Sequence, residues 1–220
     1  MQAIKIKAAA SLGGAKLMLA SGAMALLLMV SLLWVNQLQL WQGLAFVAAG
    51  LGMFAGWAKL AEPAYFLQMD DLGVQYRHRN GNWTLPWQSF LYSGIPQYEQ
   101  RALAYIGFKV TDYDSFLQHL PLRFAVRIMS EQRALYIEAV RQGCESGRCA
   151  SELLVEGEHF NTSKQQYTGI KAAFAYRMQR LSAQTGFDLF VSVTMSETDT
   201  QQLCQQINQA RLQLVQNTVT

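Results

Sequence analysis

Two stretches near the N-terminus break the polar–apolar alternation of the rest of the chain. Leu17–Val35 (LMLASGAMALLLMVSLLWV) and Leu40–Ala58 (LWQGLAFVAAGLGMFAGWA) are apolar almost throughout. A helix rises about 1.5 Å per residue and a bilayer's hydrocarbon core is about 30 Å thick, so either stretch is long enough to span it. Only Asn36, Gln37, Leu38 and Gln39 separate them. The pattern predicts a transmembrane helical hairpin over residues 17–58, with helices 17–35 and 40–58. Trp34 and Trp41 flank the turn and Trp57 ends the second helix, where amphipathic rings favour the water–lipid interface. Ala48, Gly52 and Gly56 recur every four residues, a stripe that suits close helix packing. The first expectation is packing against the other helix of the hairpin, and the second is a homodimer contact.

Beyond residue 62 the period falls to two. Tyr65–Met69 and Val74–His78 alternate around the turn Asp70-Asp71-Leu72-Gly73, and Asn80-Gly81 marks a hairpin into Trp83 and Leu85. Further strands are expected over Leu91–Ile95, Leu103–Val110 and Phe187–Met195. Between them, residues 112–185 read as helical. A short helix ends before Pro121, and a longer one runs to about Arg141 with Leu122, Ala125, Ile128 and Met129 on its apolar face. Another carries Tyr167, Ile170, Phe174, Met178 and Leu181 and stops at Thr185-Gly186. Ser196-Glu197-Thr198-Asp199 opens a last helix with Leu203, Ile207, Ala210 and Leu214 on one face.

Charge then fixes an orientation. The 220 residues carry a formal net charge of +3 and a mean hydropathy of +0.05. The surplus lies in a basic N-terminal tail, residues 1–16, with Lys5, Lys7 and Lys16 and no acid. Residues 17–58 carry no charge, and the remainder balances. With Lys59 also beside the hairpin's ends and none in its turn, both termini are expected in the cytoplasm. A balanced domain gives no basis for nucleic-acid binding. A cleaved signal peptide fits poorly, because a second apolar run follows at once.

The opening E-P-A-Y-F-L-Q-M-D-D-L-G-V-Q-Y and then P-W-Q-S-F, after a two-helix anchor, resemble bacterial inner-membrane proteins with a pleckstrin-homology-like domain. The segments Y-T-G-I-K-A-A-F-A-Y-R-M-Q-R-L and G-F-D-L-F-V-S-V are similar to the signature of a small bacterial family of unknown function. The resemblance implies an α+β fold: the transmembrane hairpin, then residues 62–220 as a cytoplasmic, partly open antiparallel barrel. That barrel would carry a helical insertion at about 112–185 and a C-terminal capping helix. The resemblance transfers no catalytic residue.

The chain has no phosphate-binding glycine loop, no H-E-x-x-H and no G-x-S-x-G. No catalytic, cofactor or metal residue is assigned. Glu156, Glu158 and His159 suit a solvated loop better than a metal site. Asp112 and Asp114 suit a helix N-terminus. Cys144 and Cys149 lie close enough in sequence for a disulfide but are expected to be thiols in the cytoplasm. His78 and His119 have no evident partner. Arg77 and Arg79 share a strand face beside the Asn80-Gly81 turn and are candidates for anionic lipid headgroups. The expectation is a non-enzymatic module that binds lipid headgroups or a protein partner, with exposed aromatics of the meander as contacts. The alternative is an enzyme or transport accessory with a pocket between the barrel and the helical insertion.

Overall fold

The computed structural model describes residues 4–7, 13–33, 39–61, 63–98, 101–142, 157–193 and 199–219. They divide into two compact units, residues 7–65 and residues 1–6 with 66–220.

The first unit is a helical hairpin of α1 (Gly14–Leu32) and α2 (Leu40–Leu60). Both are long and apolar enough to cross a membrane. Each starts or ends a few residues away from the range the hydropathy pattern predicts, and Trp34 and most of the turn lie outside the described residues. On α2 the buried positions are Gln42, Ala49 and Gly56, and on α1 Gly14 and Leu28. This seven-residue spacing is that of helices crossing at a shallow angle. A Cβ on Gly56 would lie 2.9 Å from the Met18 backbone nitrogen, and one on Gly14 would lie 2.9 Å from Lys59 Cβ. One on Gly52 would collide with the Ser21 side chain. Ala48 is exposed and Ala49 takes the buried place, because a seven-residue repeat and a four-residue stripe part company after two turns. The outer faces carry bare Leu26, Leu27, Leu44, Val47 and Phe54.

The second unit is α+β, with antiparallel sheets. Its larger sheet has the order β1-β2-β3-β4, from β1 (Ile4–Lys7), β2 (Tyr65–Met69), β3 (Gly73–His78) and β4 (Gly81–Pro86). β1 lies within the basic N-terminal tail. Ile6 is buried at this sheet's edge, where hydropathy over only four residues gives little signal. The second sheet has the order β11-β8-β5, from β5 (Phe90–Gly94), β8 (Tyr105–Val110) and β11 (Leu189–Ser192). Two short hairpins complete the strands: β6 (Gln97–Tyr98) with β7 (Arg101–Ala102), and β9 (His159–Asn161) with β10 (Gln166–Thr168). The sheets do not close into a barrel; β5 leaves the meander and pairs with β8 instead.

The expected helical section also divides. α3 (Tyr113–Leu117), α4 (Leu122–Glu131) and α5 (Arg133–Gln142) replace one short and one long helix, with the break at Gln132, where φ and ψ are −93° and 15°. Tyr167 belongs to β10, and α6 (Gly169–Thr185) begins after it. α6 ends at Gly186 as expected, with φ +81° and its N–H donated to Ser182 O at 2.9 Å. α7 (Thr200–Val219) buries Leu203, Ile207 and Ala210. Its Asn208 accepts from Ser93 N at 2.8 Å and donates to Ser93 O at 2.9 Å, so an amide side chain stands in for a neighbouring strand along β5.

Trp83 of β4 is 2% exposed and lies edge-on to Phe108 of β8 at 5.6 Å and to Phe116 of α3 at 5.9 Å. Phe66, Tyr76 and Phe90 are buried as well and fill the core, whereas Tyr92 of β5 is exposed.

Two outcomes follow from these contacts. Ile6→Ala should destabilise the domain by about 2 kcal/mol, as for other buried aliphatic truncations. A loose tail would show no change in detergent-solubilised unfolding of the full chain. Gly81→Ala should cost about 2 kcal/mol, since Gly81 has φ +151° and a Cβ there would lie 2.9 Å from the Phe124 ring. The same unfolding measurement checks it.

Candidate functional site

The sequence assigned the acids at 112 and 114 to a helix start, and they belong to a polar network that anchors α3. Asp112 is the N-cap of α3 and accepts from Asp114 N at 3.1 Å, while Lys164 Nζ lies 2.6 Å from its other oxygen. The Lys164 bond, reinforced by that cap, holds the Asp112 carboxyl below its usual range. The same bond raises the Lys164 ammonium. Asp114 is buried and accepts from Thr162 Oγ1 at 2.7 Å and from Tyr167 OH at 2.9 Å. Burial first, and Asp114 beside it, push the Tyr167 phenol up to about 12.

Asp188, which the sequence did not single out, is the second buried acid. It accepts from Val110 N at 2.8 Å and from Tyr113 OH, with Lys109 Nζ 3.3 Å away. Burial and that bond raise the Tyr113 phenol. Lys109 also donates to Ser182. A serine beside a lysine can act as a nucleophile with its base, but here the lysine is also paired with the Asp188 carboxylate. Each acid is occupied by protein donors. Among the described residues, no three His, Cys, Asp or Glu side chains come together as a metal site. Cys204 is buried, and burial pushes its thiol up to about 11, away from nucleophilic use. Cys144, Cys149 and Glu156 lie outside the described residues. Glu158 and His159 are exposed, with His159 at the start of β9.

A cavity of about 320 Å³ lies between α5 and the start of β8, near the place expected for an active-site pocket. Leu103, Tyr105, Leu135 and Ala139 line it, and Glu138 is its one acidic residue. A more open groove near the β2–β3 turn carries Trp87, Asp71 and His119.

The β3–β4 hairpin makes a different kind of site. His78 pairs with Gly81 across the strands, so the two-residue turn is Arg79-Asn80, one residue earlier than the Asn-Gly signal suggests. Gly81 moves into the strand because only a residue without Cβ fits against Phe124. Arg77 is exposed on the strand, opposite Asn82, and Arg79 is exposed in the turn rather than on the same strand face. His78 points inward. Its ring stacks on Phe124 of α4 at 6.0 Å, and its Nε2 lies 3.7 Å from Glu131, which also takes Arg127 Nε at 2.6 Å.

α4 is therefore docked under the hairpin tip. It buries Phe124, Ala125 and Ile128. Leu122, expected on that buried face, is instead 49% exposed, and Val126 is 43% exposed. At 100° per residue they share the outward side with Arg123 and Arg127. The i, i+4 spacing of both pairs was legible in the sequence. What it could not give was which side of a short helix the core would take.

Residues 67–213 match the model of a family described as a protein of unknown function, DUF2982. The chain belongs to that family. The match covers the second unit from β2 into α7, including the hairpin tip and α4, and leaves β1 and the apolar helices outside it. No curated protein and no solved structure matches the chain.

The polar anchor of α3 gives a graded test. Asp112→Ala removes the cap and should cost about 1 kcal/mol, whereas Asp112→Asn keeps a capping oxygen and should cost less. A depressed carboxyl pKa stabilises the fold above the unfolded value of 3.8 and loses that effect as pH falls through the lower folded value. The gap between parent and Asp112→Asn should therefore be full at neutral pH and close below about pH 4, in denaturant unfolding across that range.

Proposed function

We propose that this chain is a membrane-anchored, non-enzymatic interaction protein. In this reading α1 and α2 cross the bacterial inner membrane as a hairpin, and the domain works in the cytoplasm through the surface of the β3–β4 tip and α4. The observation that carries it is β1. Residues before the first apolar helix and residues after the second belong to one sheet. A strand cannot pair through a bilayer, so a spanning hairpin with both ends on one side is the topology compatible with this sheet. The bare leucines and phenylalanine of the hairpin support the membrane, since soluble surfaces rarely carry so large a contiguous apolar area. Lys5, Lys7, Lys16 and Lys59 support the cytoplasmic side.

A pleckstrin-homology-like module is the finer fold reading, supported by the meander and by α7 lying against β5. Binding rather than catalysis is favoured by the consumed acids and by the cavity beside α5, which is apolar with one acidic residue.

Cysteine accessibility in intact cells tests the topology. Single cysteines at Ala3 and Asn161 should both be shielded from an impermeant maleimide until the membrane is opened, while one at Gln37 should react from outside. Ala3 and Asn161 on opposite sides would refute the hairpin. Both reacting from outside would place the domain in the other compartment.

A further inference from the structure

We propose that the outward face of α4 and the β3–β4 tip form one surface that docks on anionic bilayer lipid. This rests on the membrane-anchored reading and names the partner of the same surface. Arg77, Arg79, Arg123 and Arg127 are all exposed. The stacking of His78 on Phe124 and the seat of Phe124 against Gly81 fix the tip to the helix, so Arg79 at the turn and Arg123 and Arg127 on α4 belong to one rigid body, while Arg77, which alternates with His78, leaves by the other face of the sheet. Glu131 is the acid held within it, and Arg127 and His78 already engage that carboxylate. Arg77, Arg79 and Arg123 form no ion pair among the described residues. The charge is segregated on a domain whose basic and acidic residues balance as a whole.

Leu122 and Val126 distinguish this face from an ordinary solvated one. Two bare aliphatic side chains one turn apart, beside two arginines one turn apart, match a helix that rests in the headgroup layer: aliphatics reach the acyl boundary and guanidinium groups pair with phosphates. α4 is too short to bind a membrane strongly by itself. It does not need to, because only four residues, 61–64, separate α2 from β2, and a tethered surface meets the bilayer at high effective concentration. Each basic group near an anionic surface contributes about fivefold, the equivalent of about 1 kcal/mol.

The test uses the full chain in nanodiscs of pure phosphatidylcholine, floated with vesicles of one part phosphatidylglycerol to two parts phosphatidylcholine. The parent should float with these vesicles and not with pure phosphatidylcholine. Arg79→Gln with Arg123→Gln should weaken this by about twentyfold. Arg101→Gln with Lys164→Gln, which removes the same charge elsewhere, should leave it within about twofold. Leu122→Asn with Val126→Ser should weaken binding that persists at high salt, where headgroup electrostatics are screened. Equal flotation of parent and Arg79/Arg123 variant, equal losses in both charge variants, or equal binding to neutral vesicles would each overturn the proposal. The first of these would assign the face to a protein partner. Failure of the anchor would show separately, as a chain released from membranes by alkaline carbonate that can still be added directly to the vesicles.

Discussion

Among the described residues the two larger sheets share no strand pair, so they are held by what lies between them, chiefly the edge-on contact of Trp83 with Phe108. Phe116 on the other flank of Trp83 ties in α3, and its stacking on Phe174 carries the contact on to α6. A side chain of this size fixes the spacing of the elements that meet on it, because a close-packed interior relaxes only partly around a change. The tip of the β3–β4 hairpin inherits its position from this core. Tyr76 lies 5.6 Å from Trp83 and 6.1 Å from Phe124, so α4 is set against the hairpin by the ring ladder that joins the sheets.

Open sheets need their edges closed, and here side-chain amides do it. Asn208 on α7 occupies both backbone groups of Ser93 on β5. At the opposite edge Gln132, in the break between α4 and α5, donates to Phe190 O of β11 at 2.8 Å. The break at Gln132 thus has a structural use. Continuing one helix to Arg141, as hydropathy suggests, would turn that side chain with the helix and uncover the strand. Two amides replace the strand pairs that would have continued the sheet, and with them goes the reason for a barrel.

The elements written in local patterns were legible: the apolar helices, the β2–β3–β4 meander and the glycine stop of α6. Those set by distant contacts were not. β1 is four residues of Ile-Lys-Ile-Lys, too short for periodicity to separate a strand from a basic tail. Asp188 looks in sequence like one more polar residue before a strand. Its role appears only when β8 and α3 bring Val110 and Tyr113 to it. Leu122 failed for a related reason: in a ten-residue helix the buried side is chosen by the docking partner, here Phe124 against Gly81 and His78. Arg77 and Arg79 were legible as exposed basic residues, and Arg123 and Arg127, the companions of Arg79, were not, since nothing local joins residue 79 to residue 123.

The pairing of β1 within the sheet looks costly for its place in the chain, because 57 residues separate Lys7 from Tyr65. The hairpin removes most of that cost. Its two ends meet, with Gly14 so close to α2 that a Cβ there would approach Gly56 O at 3.2 Å and Lys59 Cβ at 2.9 Å. Once α1 and α2 have packed, the loop to be closed consists of the ten residues 8–13 and 61–64. On a logarithmic closure law the saving is about 1.5 kcal/mol, a large share of what burying Ile6 contributes. The glycines that let the helices approach therefore also bring together the ends from which β1 and β2 extend. Substituting Gly56 with a larger residue would act on the domain's edge strand without touching the domain.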